Sequence, residues 1–314
     1  MPRVSVLVPT YRYSGYLEEA VGSILAQDFD DFELIISDDA SGDGSAEKIQ
    51  RLAEADRRVR AYVQPQNHGM VPHWNWCLDQ AKGEYIKYLF GDDCFASPRA
   101  LGQLVRALDA QPSAVLATGQ RQWVDEKGQT LFRAESMPSL GLTNGREATA
   151  VCMNADRNLI GEPSAVLFRK AAGRRGFDPT FRQLVDLEMW YCLLEAGDLV
   201  TVPDLVLSFR VHGAQQTAQN ARSRIASVET MRMVARYHDS FRHALKGYSE
   251  AQYQRALSQI IYYAKKQRPQ PAEAKAAELS LMHRIGNGNY QKNLLLHRLK
   301  KPFVNLRRKF RKRS

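Results

Sequence analysis

The chain has 314 residues, of which 44% are hydrophobic and 25% are charged. This length and composition are typical of a globular protein with one large domain, or a domain with an appendage, and a sizeable core. They argue against a membrane-spanning protein, because no run approaches the roughly 20 apolar residues that cross a bilayer. The first residues, MPRVSVLVPTYR, enter a predicted strand directly instead of a cleavable signal, so we expect a cytoplasmic protein.

The formal net charge of +10 is concentrated at one end of the chain. Residues 291–314 contain ten Lys and Arg and no acid, so the rest of the chain is formally neutral. A neutral body offers no broad footprint for phosphates, which argues against a nucleic-acid partner. The tail mixes Leu and Phe with its cations, as amphipathic helices on anionic membranes do. We expect either peripheral binding to the inner face of the membrane or a solvated extension.

Short apolar segments alternate with amphipathic helices over the first 90 residues. Strands are predicted over Arg3–Tyr11 and Asp31–Asp39, with a helix over YLEEAVGSILAQ between them. The pattern continues with a helix over Ala46–Ala55, the strand VRAYVQP, a helix near Pro72–Ala81 and the strand EYIKYLF. Four such alternations predict a parallel sheet covered by helices on both faces.

The pattern becomes mixed from about residue 114. AVLATGQRQWVDEKGQTLF indicates a hairpin with its turn at Lys127-Gly128, and IGEPSAVLFRK a strand after a Gly-Glu-Pro turn. A helix is predicted in VDLEMWYCLLEAG, and helices follow over 223–245, Glu250–Lys266 and Ala272–Ile285. We therefore expect an α/β domain over 1–221, a helical extension over 222–290 and the basic tail. The domain would divide into a regular half, 1–113, and a mixed half, 114–221.

Polar residues follow each of the four predicted parallel strands. They are Tyr11, then Asp38 and Asp39, then Asn67 and Gly69, and finally Asp92 and Asp93. In such sheets ligands bind beyond the carboxyl ends of the strands, so these residues should share one site. No G-x-G-x-x-G follows the first strand, which disfavours a dinucleotide fold. The adjacent carboxylates of Asp92 and Asp93 repel each other unless a cation or hydrogen-bond donors share the site.

Four segments together resemble the family 2 glycosyltransferases of the GT-A fold. They are VSVLVPTYR with the following YLEEAVGSILAQDFDDFELIISDDAS, then NHG with NWCLDQAKGEYIKYLFGDD, then LVDLEMW, and then FRVHG. The resemblance covers about Val4–Gly213, and its first two blocks are highly specific. It implies an α/β, mostly parallel sheet with a nucleotide-diphosphate sugar across the strand ends. It makes 1–221 the glycosyltransferase domain, with 1–113 as the nucleotide-sugar-binding half and 114–221 as the acceptor-side half. It also implies a divalent metal on the diphosphate, and one carboxylate that activates the acceptor hydroxyl.

The resemblance assigns the metal to the pair of aspartates. Asp93 would bind Mn2+ or Mg2+, which accept oxygen ligands, and His212 would lie near the metal with Arg210 close by. Asp92 would contact the ribose or the sugar. Gly91 stands where many family members have the first Asp of a D-x-D motif, which leaves the metal fewer protein ligands. The alternative is that the aspartates only cap the helix that follows Pro98.

The resemblance also places the donor nucleotide. The nucleotide-sugar residues would be Pro9, Tyr11, Asp38, Asp39, Asn67, Gly69, Asn75 and Asp92. The ring of Tyr11 can stack on a base, and Asp39, or alternatively Asp38, can accept a hydrogen bond from uracil N3. A carboxylate accepts and cannot donate, so uridine fits, and thymidine fits as well. The alternative is that SDDASGDGS and the Asn67–Gly69 loop are ordinary polar turns.

Asp186 in LVDLEMW resembles the carboxylate that opens the acceptor-side helix of the family. It would remove the proton of a sugar hydroxyl as the bond to C1 forms, with Glu188 as the competing candidate. Glu162, Glu188 and Trp190 would lie on the acceptor side. The alternative is that Asp186 is a helix N-terminal acid stabilised by the macrodipole.

The resemblance thus implies a metal-assisted, inverting hexosyl transfer from a UDP-sugar, or a dTDP-sugar, to a hydroxyl of a glycan. That glycan would be lipid-linked or part of a cell-surface polysaccharide. A metal-dependent nucleotidyltransferase is an alternative, but PTYRYSGYL lacks the Gly-rich, basic triphosphate loop expected near the first strand. A non-catalytic polyanion-binding protein would explain only the tail.

Overall fold

The computed structural model describes residues 1–213, 225–266, 272–286 and 288–294. The chain forms two compact units. The first comprises Met1–Phe181 and Val185–Gln215, and the second comprises Arg182–Leu184 and Gln216–Ser314. From residue 295 onward, the predicted basic tail lies outside the described residues. Across the described ranges, no helix has both the length and the apolar character needed to cross a bilayer.

The first unit begins with the predicted alternation of strands and helices. The elements are β1 Val4–Thr10, α1 Leu17–Leu25, β2 Phe32–Asp38, α2 Ser45–Ala55, β3 Val59–Val63, α3 Met70–Gln80 and β4 Tyr85–Tyr88. The strands lie in the order β3-β2-β1-β4, and each neighbouring pair is parallel. β1 and β2 are buried at every position, as expected for apolar strands with helices on both faces.

The second half of this unit extends the same sheet with mixed strand directions. Its elements are β5 Cys94–Phe95, α4 Ala100–Ala110, β6 Ala114–Val124, β7 Thr130–Arg133, β8 Gly141–Thr143, α5 Gly145–Ala155, a 3-10 turn Pro163–Ala165, β9 Leu167–Arg169, α6 Val185–Leu194 and β10 Asp198–Arg210. β9 is antiparallel to β4 and β6, whereas β10 is parallel to β6. The predicted hairpin is present, because β7 pairs antiparallel with β6 and Gly128 has a φ of 79° in the turn.

Strand register brings distant residues to one edge of the sheet. Thr10 lies opposite Asp38, so the residues that follow β1 and β2, Tyr11 and Asp39, leave the sheet side by side. Farther along the chain, β10 runs antiparallel to β5, with Ser208 opposite Cys94. That pairing carries the end of β10 to the turn between β4 and β5.

The second unit is helical where it is described. Its helices are Ile225–Arg236, His238–Ala244, Glu250–Ala264 and Ala272–Ile285. The helical stretch predicted over 223–245 is therefore two helices, separated at Tyr237, whose ψ of 43° is not helical. The helix that begins at Glu250 has a capping box between Ser249 and Gln252, which satisfies two backbone N–H groups at its start.

Candidate active site

Tyr11 is the exposed aromatic residue at the end of β1. Its side chain is 40% exposed, and the Arg12 guanidinium lies 5.1 Å from the ring centroid. Arg12 has a φ of 61°, and its backbone N–H donates to Ser41 Oγ over 2.9 Å. Pro9 is buried within β1 opposite Ser37, so it supports the end of this strand from inside the sheet.

The two aspartates after β2 are buried and hold backbone amides. Asp38 accepts hydrogen bonds from the backbone N–H and the hydroxyl of Ser41. Asp39 Oδ1 accepts from His68 N over 2.9 Å, and Oδ2 accepts from Gly69 N over 3.0 Å. Gly69 has a φ of 82°, a conformation that favours glycine. Each carboxylate oxygen of Asp39 has a second lone pair, so the carboxylate can accept one more donor.

Asn67 and Asn75 have different partners from each other. Asn67 Nδ2 donates to the backbone oxygen of Asp39 over 3.0 Å, which closes the loop before α3. Asn75 instead makes two hydrogen bonds with the backbone of Phe177. Asn75 Nδ2 donates to Phe177 O, and Asn75 Oδ1 accepts from Phe177 N, both over 2.8 Å. A Cβ at Gly176 would lie 2.6 Å from Asn75 Oδ1, so glycine is needed there. The structure thus shows Asn75 joining α3 to the 176–177 segment.

Asp92 and Asp93 lie in the turn between β4 and β5. Asp93 is fully buried, and its Oδ1 accepts a hydrogen bond from Arg210 N over 3.1 Å. Asp93 Oδ2 is also buried, but it has no hydrogen-bond partner among the described residues. Burial, and then the neighbouring charge of Asp92, raises the pKa of Asp93 well above its ordinary value. The helix that follows begins at Ala100 without a side-chain cap, so these aspartates do not cap it.

His212 and Arg210 reach this turn from the end of β10. His212 Nε2 lies 3.0 Å from Asp92 Oδ2, and both side chains are nearly buried. Arg210 Nε donates to the backbone oxygen of Asp92 over 3.0 Å, while Nη2 bonds Glu19 over 2.6 Å. The predicted proximity of His212 and Arg210 to the aspartates is therefore observed.

Two tyrosines that sequence reasoning did not single out complete this cluster. The rings of Tyr13 and Tyr16 lie 5.9 Å and 5.2 Å from the ring of His212. Burial, and then the charge of Asp92, raises the pKa of Tyr13, which keeps its hydroxyl protonated. The available signal was their place in PTYRYSGY, directly after β1, where the edge residues of the sheet gather.

One buried oxygen in this turn is available to a divalent cation. Asp93 Oδ2 has no hydrogen-bond partner among the described residues, and Mn2+ accepts carboxylate oxygens, whereas Asp92 and His212 bond each other. Within the part of the chain that the structure describes, no three His, Cys, Asp or Glu are grouped so as to hold a metal by themselves. A Cβ at Gly91 would lie 3.0 Å from Thr10 Oγ1, so the position has little room for a third carboxylate.

Asp186 lies in the first turn of α6 and is partly exposed. Asn158 Nδ2 donates to Asp186 Oδ2 over 2.8 Å. Burial raises the pKa of Asp186 to about 7, and the nearby charge of Glu162 adds to that rise. The carboxylate is thus an acceptor that gains a proton near neutral pH.

A loop from Asn158 to Gly161 supports Asp186. Asn158 Oδ1 accepts from Gly161 N over 2.9 Å, and Asn158 Nδ2 also donates to Gly161 O over 3.0 Å. The indole N–H of Trp190 donates to the same oxygen over 2.8 Å, and Trp190 is fully buried. Trp190 therefore supports this loop from inside the protein. Asn158 was not predicted, because a single polar residue in the loop RNLIGEP gives no distinctive pattern.

Glu162 and Glu188 have contrasting surroundings. Glu162 Oε2 lies 3.4 Å from Arg121 Nε, and its charge helps to raise the pKa of both Asp93 and Asp186. Glu188 is fully buried, and its two oxygens accept from the guanidinium of Arg175 over 3.1 Å and 2.6 Å. Because both oxygens of Glu188 bind the guanidinium of Arg175, Glu188 is less suited than Asp186 to contact an acceptor hydroxyl.

Comparison with known sequences gives a family match over more than half of the chain. Residues 5–172 match the model of glycosyl transferase family 2. An uncharacterized protein, MT1568 of Mycobacterium tuberculosis, is 31% identical over 223 residues, which span 68% of each chain. A GalNAc(5)-diNAcBac-PP-undecaprenol beta-1,3-glucosyltransferase of Campylobacter jejuni is 42% identical over 95 residues, which span 30% of each chain.

Comparison with solved structures supports the GT-A fold that the sequence predicted. S. aureus TarS 1-349 in complex with UDP-GlcNAc has a TM-score of 0.65 at 18% identity, over 95% of this chain and 92% of that one. The mannosyltransferase PcManGT of Pyrobaculum calidifontis, in complex with GDP-Man and Mn2+, has a TM-score of 0.57 at 20% identity, over 96% of this chain and 88% of that one.

Proposed function

Because this chain belongs to glycosyl transferase family 2, we propose that it transfers a hexosyl group from a UDP-sugar to a hydroxyl of a glycan acceptor. The observation that carries the proposal is the buried Oδ2 of Asp93, which has no hydrogen-bond partner among the described residues. It lies next to Asp92, which bonds His212, and in the same unit as Asp186, whose carboxyl has a raised pKa. A dTDP-sugar is the second candidate donor, because thymine presents the same N3–H as uracil.

The nucleotide would bind at the ends of β1 and β2. Tyr11 is exposed on one side of this edge and can stack on the base. The remaining acceptor capacity of Asp39 suits the N3–H of uracil, while Asp39 keeps the Asn67–Gly69 loop in place. The TarS complex with UDP-GlcNAc supports a uridine donor for this fold.

The diphosphate would lie against the turn that carries Asp92 and Asp93. A divalent metal held by Asp93, with Asp92 and His212, would offset the charge of the departing diphosphate. Asp92 also remains the proposed contact to the ribose or the sugar. Arg210 fixes this turn, because its Nε donates to the backbone oxygen of Asp92 and its backbone N–H donates to Asp93 Oδ1.

Asp186 would act as the base. The acceptor oxygen forms a bond to C1 as the bond from C1 to the diphosphate oxygen breaks, and the hydroxyl proton passes to Asp186. A base whose pKa is about 7 is suited to accepting a proton at neutral pH. A single displacement of this kind inverts the configuration at C1. Asn158 orients the carboxylate, and Glu162 can hydrogen-bond an acceptor hydroxyl nearby.

The acceptor is proposed to be a lipid-linked glycan or a cell-surface polysaccharide. Support comes from the Campylobacter jejuni relative, whose name describes a sugar carried on undecaprenyl diphosphate. A basic tail that binds anionic lipid at the inner face of the membrane would bring the enzyme to such an acceptor.

A panel of nucleotide-sugars tests the proposed function. Release of free nucleotide is measured for UDP-, dTDP- and GDP-sugars, with and without Mn2+, in the wild type and in Asp186→Asn. We expect release from a UDP-sugar that depends on Mn2+ and that Asp186→Asn abolishes. Release from no nucleotide-sugar under any of these conditions would refute the proposal.

A further inference from the structure

Arg121 is a buried arginine in β6, and the proposed reaction gives it no role. Its Nη2 donates to the backbone oxygen of Glu135 over 2.6 Å and to that of Asn158 over 3.3 Å. Its Nε forms an ion pair with Glu162, at 3.4 Å from Oε2. Arginine is almost never fully buried unless its charge is paired, and only 3% of this side chain is exposed. One guanidinium thus joins β6 to two other segments of the first unit.

The contacts of Arg121 hold both ends of the loop over residues 158–162. Asn158 at its start accepts through its backbone oxygen, and Glu162 at its end pairs through Oε2. Between them, a Cβ at Gly161 would lie 2.4 Å from Arg121 Nη1, and Gly161 has a φ of 126°, which favours glycine. The backbone of the loop therefore lies directly against the guanidinium. Arg121 fixes this loop to the sheet.

The two ends of this loop also act on Asp186. Asn158 Nδ2 donates to Asp186 Oδ2 over 2.8 Å, and a donor of this kind favours the charged carboxylate. Burial raises the pKa of Asp186, and the charge of Glu162 adds to that rise. The guanidinium paired with Glu162 offsets part of that negative charge. Arg121 therefore acts on both the hydrogen-bond donor and the charge beside the proposed base.

We infer that Arg121 is a positioning residue for Asp186, because it holds the loop from which Asn158 orients the carboxylate and balances the charge of Glu162 beside it. Arg121 acts through these two residues and touches no reacting atom. Its importance for transfer rests on the proposed function, whereas its effect on the carboxyl of Asp186 does not.

Arg169 in β9 provides a matched control, because it has the same kinds of partners as Arg121. Its Nε and Nη2 each donate to a backbone oxygen over 2.8 Å, and its Nη1 lies 3.5 Å from Glu84. These partners lie outside the 158–162 loop. Replacing Arg169 should therefore destabilise the fold without changing the surroundings of Asp186.

The first experiment follows the titration of the Asp186 carboxyl by carbon-13 NMR in the protein without ligands, with Asp186→Asn to identify the signal. Arg121→Gln removes the charge beside Glu162 and loosens the loop. Both changes disfavour the carboxylate of Asp186, so its titration should move up by about 0.5–1 pH unit. Arg121→Lys keeps the charge but replaces the forked guanidinium with one nitrogen, so the shift should be about half as large. Arg169→Gln should titrate as the wild type does.

The second experiment measures the pH dependence of nucleotide release from a UDP-sugar in the same variants. In Arg121→Gln the acidic limb should move up as the NMR titration does, and kcat should fall about tenfold because the carboxylate is misplaced. Calorimetry should show unchanged affinity for UDP. Arg169→Gln should melt below the wild type but keep the position of the limb.

The two experiments separate the inference from the proposed function. An unmoved Asp186 titration in Arg121→Gln, or in Arg121→Lys if the Gln variant does not fold, would overturn the inference. An equal shift in Arg169→Gln would also overturn it, because the effect would then reflect lost stability alone. If the wild type releases nucleotide from no nucleotide-sugar, the proposed function fails, while the NMR titration still decides whether Arg121 positions Asp186.

Discussion

Replacing Asp186 with Asn should stabilise the first unit at alkaline pH while abolishing transfer. In the folded protein the pKa of this carboxyl is raised from its ordinary value of 3.8 to about 7. The carboxyl therefore favours folding most strongly below about pH 4, where it is protonated in both states. That contribution is lost as the pH rises from about 4 through 7, because the unfolded chain ionises first. Asn cannot ionise, so the variant avoids this loss.

The expected gain in stability follows from the difference between the pKa of Asp186 in the folded protein and its ordinary value. One pKa unit corresponds to about 1.4 kcal/mol, so the full shift would correspond to about 4 kcal/mol. Asp186 is partly exposed, and solvent screens part of this cost, so we expect about 1–3 kcal/mol. For a unit of this size, that corresponds to an increase in melting temperature of roughly 3–10 °C.

The assay is thermal unfolding from pH 4 to pH 8.5, with nucleotide release measured on the same samples. Asp186→Asn should melt above the wild type at pH 8, and the difference should vanish near pH 4. Asp79→Asn makes the same substitution at an exposed position in α3 and should show no such pH dependence. A constant difference between Asp186→Asn and the wild type at all pH values would refute the reasoning. Near-normal transfer by the variant would remove the assignment of the base.

Three further predictions concern the supporting residues. Asn158→Ala removes a hydrogen-bond donor that favours the charged form of Asp186, so the pKa of Asp186 should rise. The acidic limb of the pH dependence of nucleotide release should therefore move up by about 0.5–1 pH unit, and an unmoved limb would contradict the orienting role. Tyr11→Ala should weaken UDP binding roughly tenfold in calorimetry, whereas Tyr11→Phe should bind normally, and equal losses would exclude stacking. Trp190→Phe removes the indole N–H that donates to Gly161 O, so the free energy of unfolding should fall by about 1–2 kcal/mol. Turnover should also fall while UDP affinity stays unchanged, and weakened UDP binding would contradict this role.

The positions of the polar residues that follow the parallel strands could be predicted from the sequence, because they depend on a local pattern. Apolar strands and amphipathic helices alternate regularly up to β4, and the rule that parallel strands end at one edge then gathers their polar successors. The sequence therefore predicts that Tyr11, Asp39 and Asp93 follow the ends of parallel strands, and in the structure they follow β1, β2 and β4. The adjacent carboxylates of Asp92 and Asp93 also indicate a site by themselves, because two neighbouring negative charges destabilise the fold unless a cation or hydrogen-bond donors share their surroundings.

The rest of the site depends on contacts between distant segments. His212 reaches Asp92 because β10 pairs with β5, and hydrophobic periodicity does not specify which strands pair. Asn158 is near Asp186 because of a loop whose sequence has no period. Trp190 matched a motif position, but only packing shows that it is buried and bonds Gly161.

Calorimetric titration of the wild-type protein with UDP in the presence of Mn2+ tests the central claim most directly. The account predicts saturable binding that weakens strongly when Mn2+ is replaced by EDTA, and the same loss in Asp93→Ala with Mn2+ present. Absence of binding by UDP and dTDP in both Mn2+ and Mg2+ would contradict it.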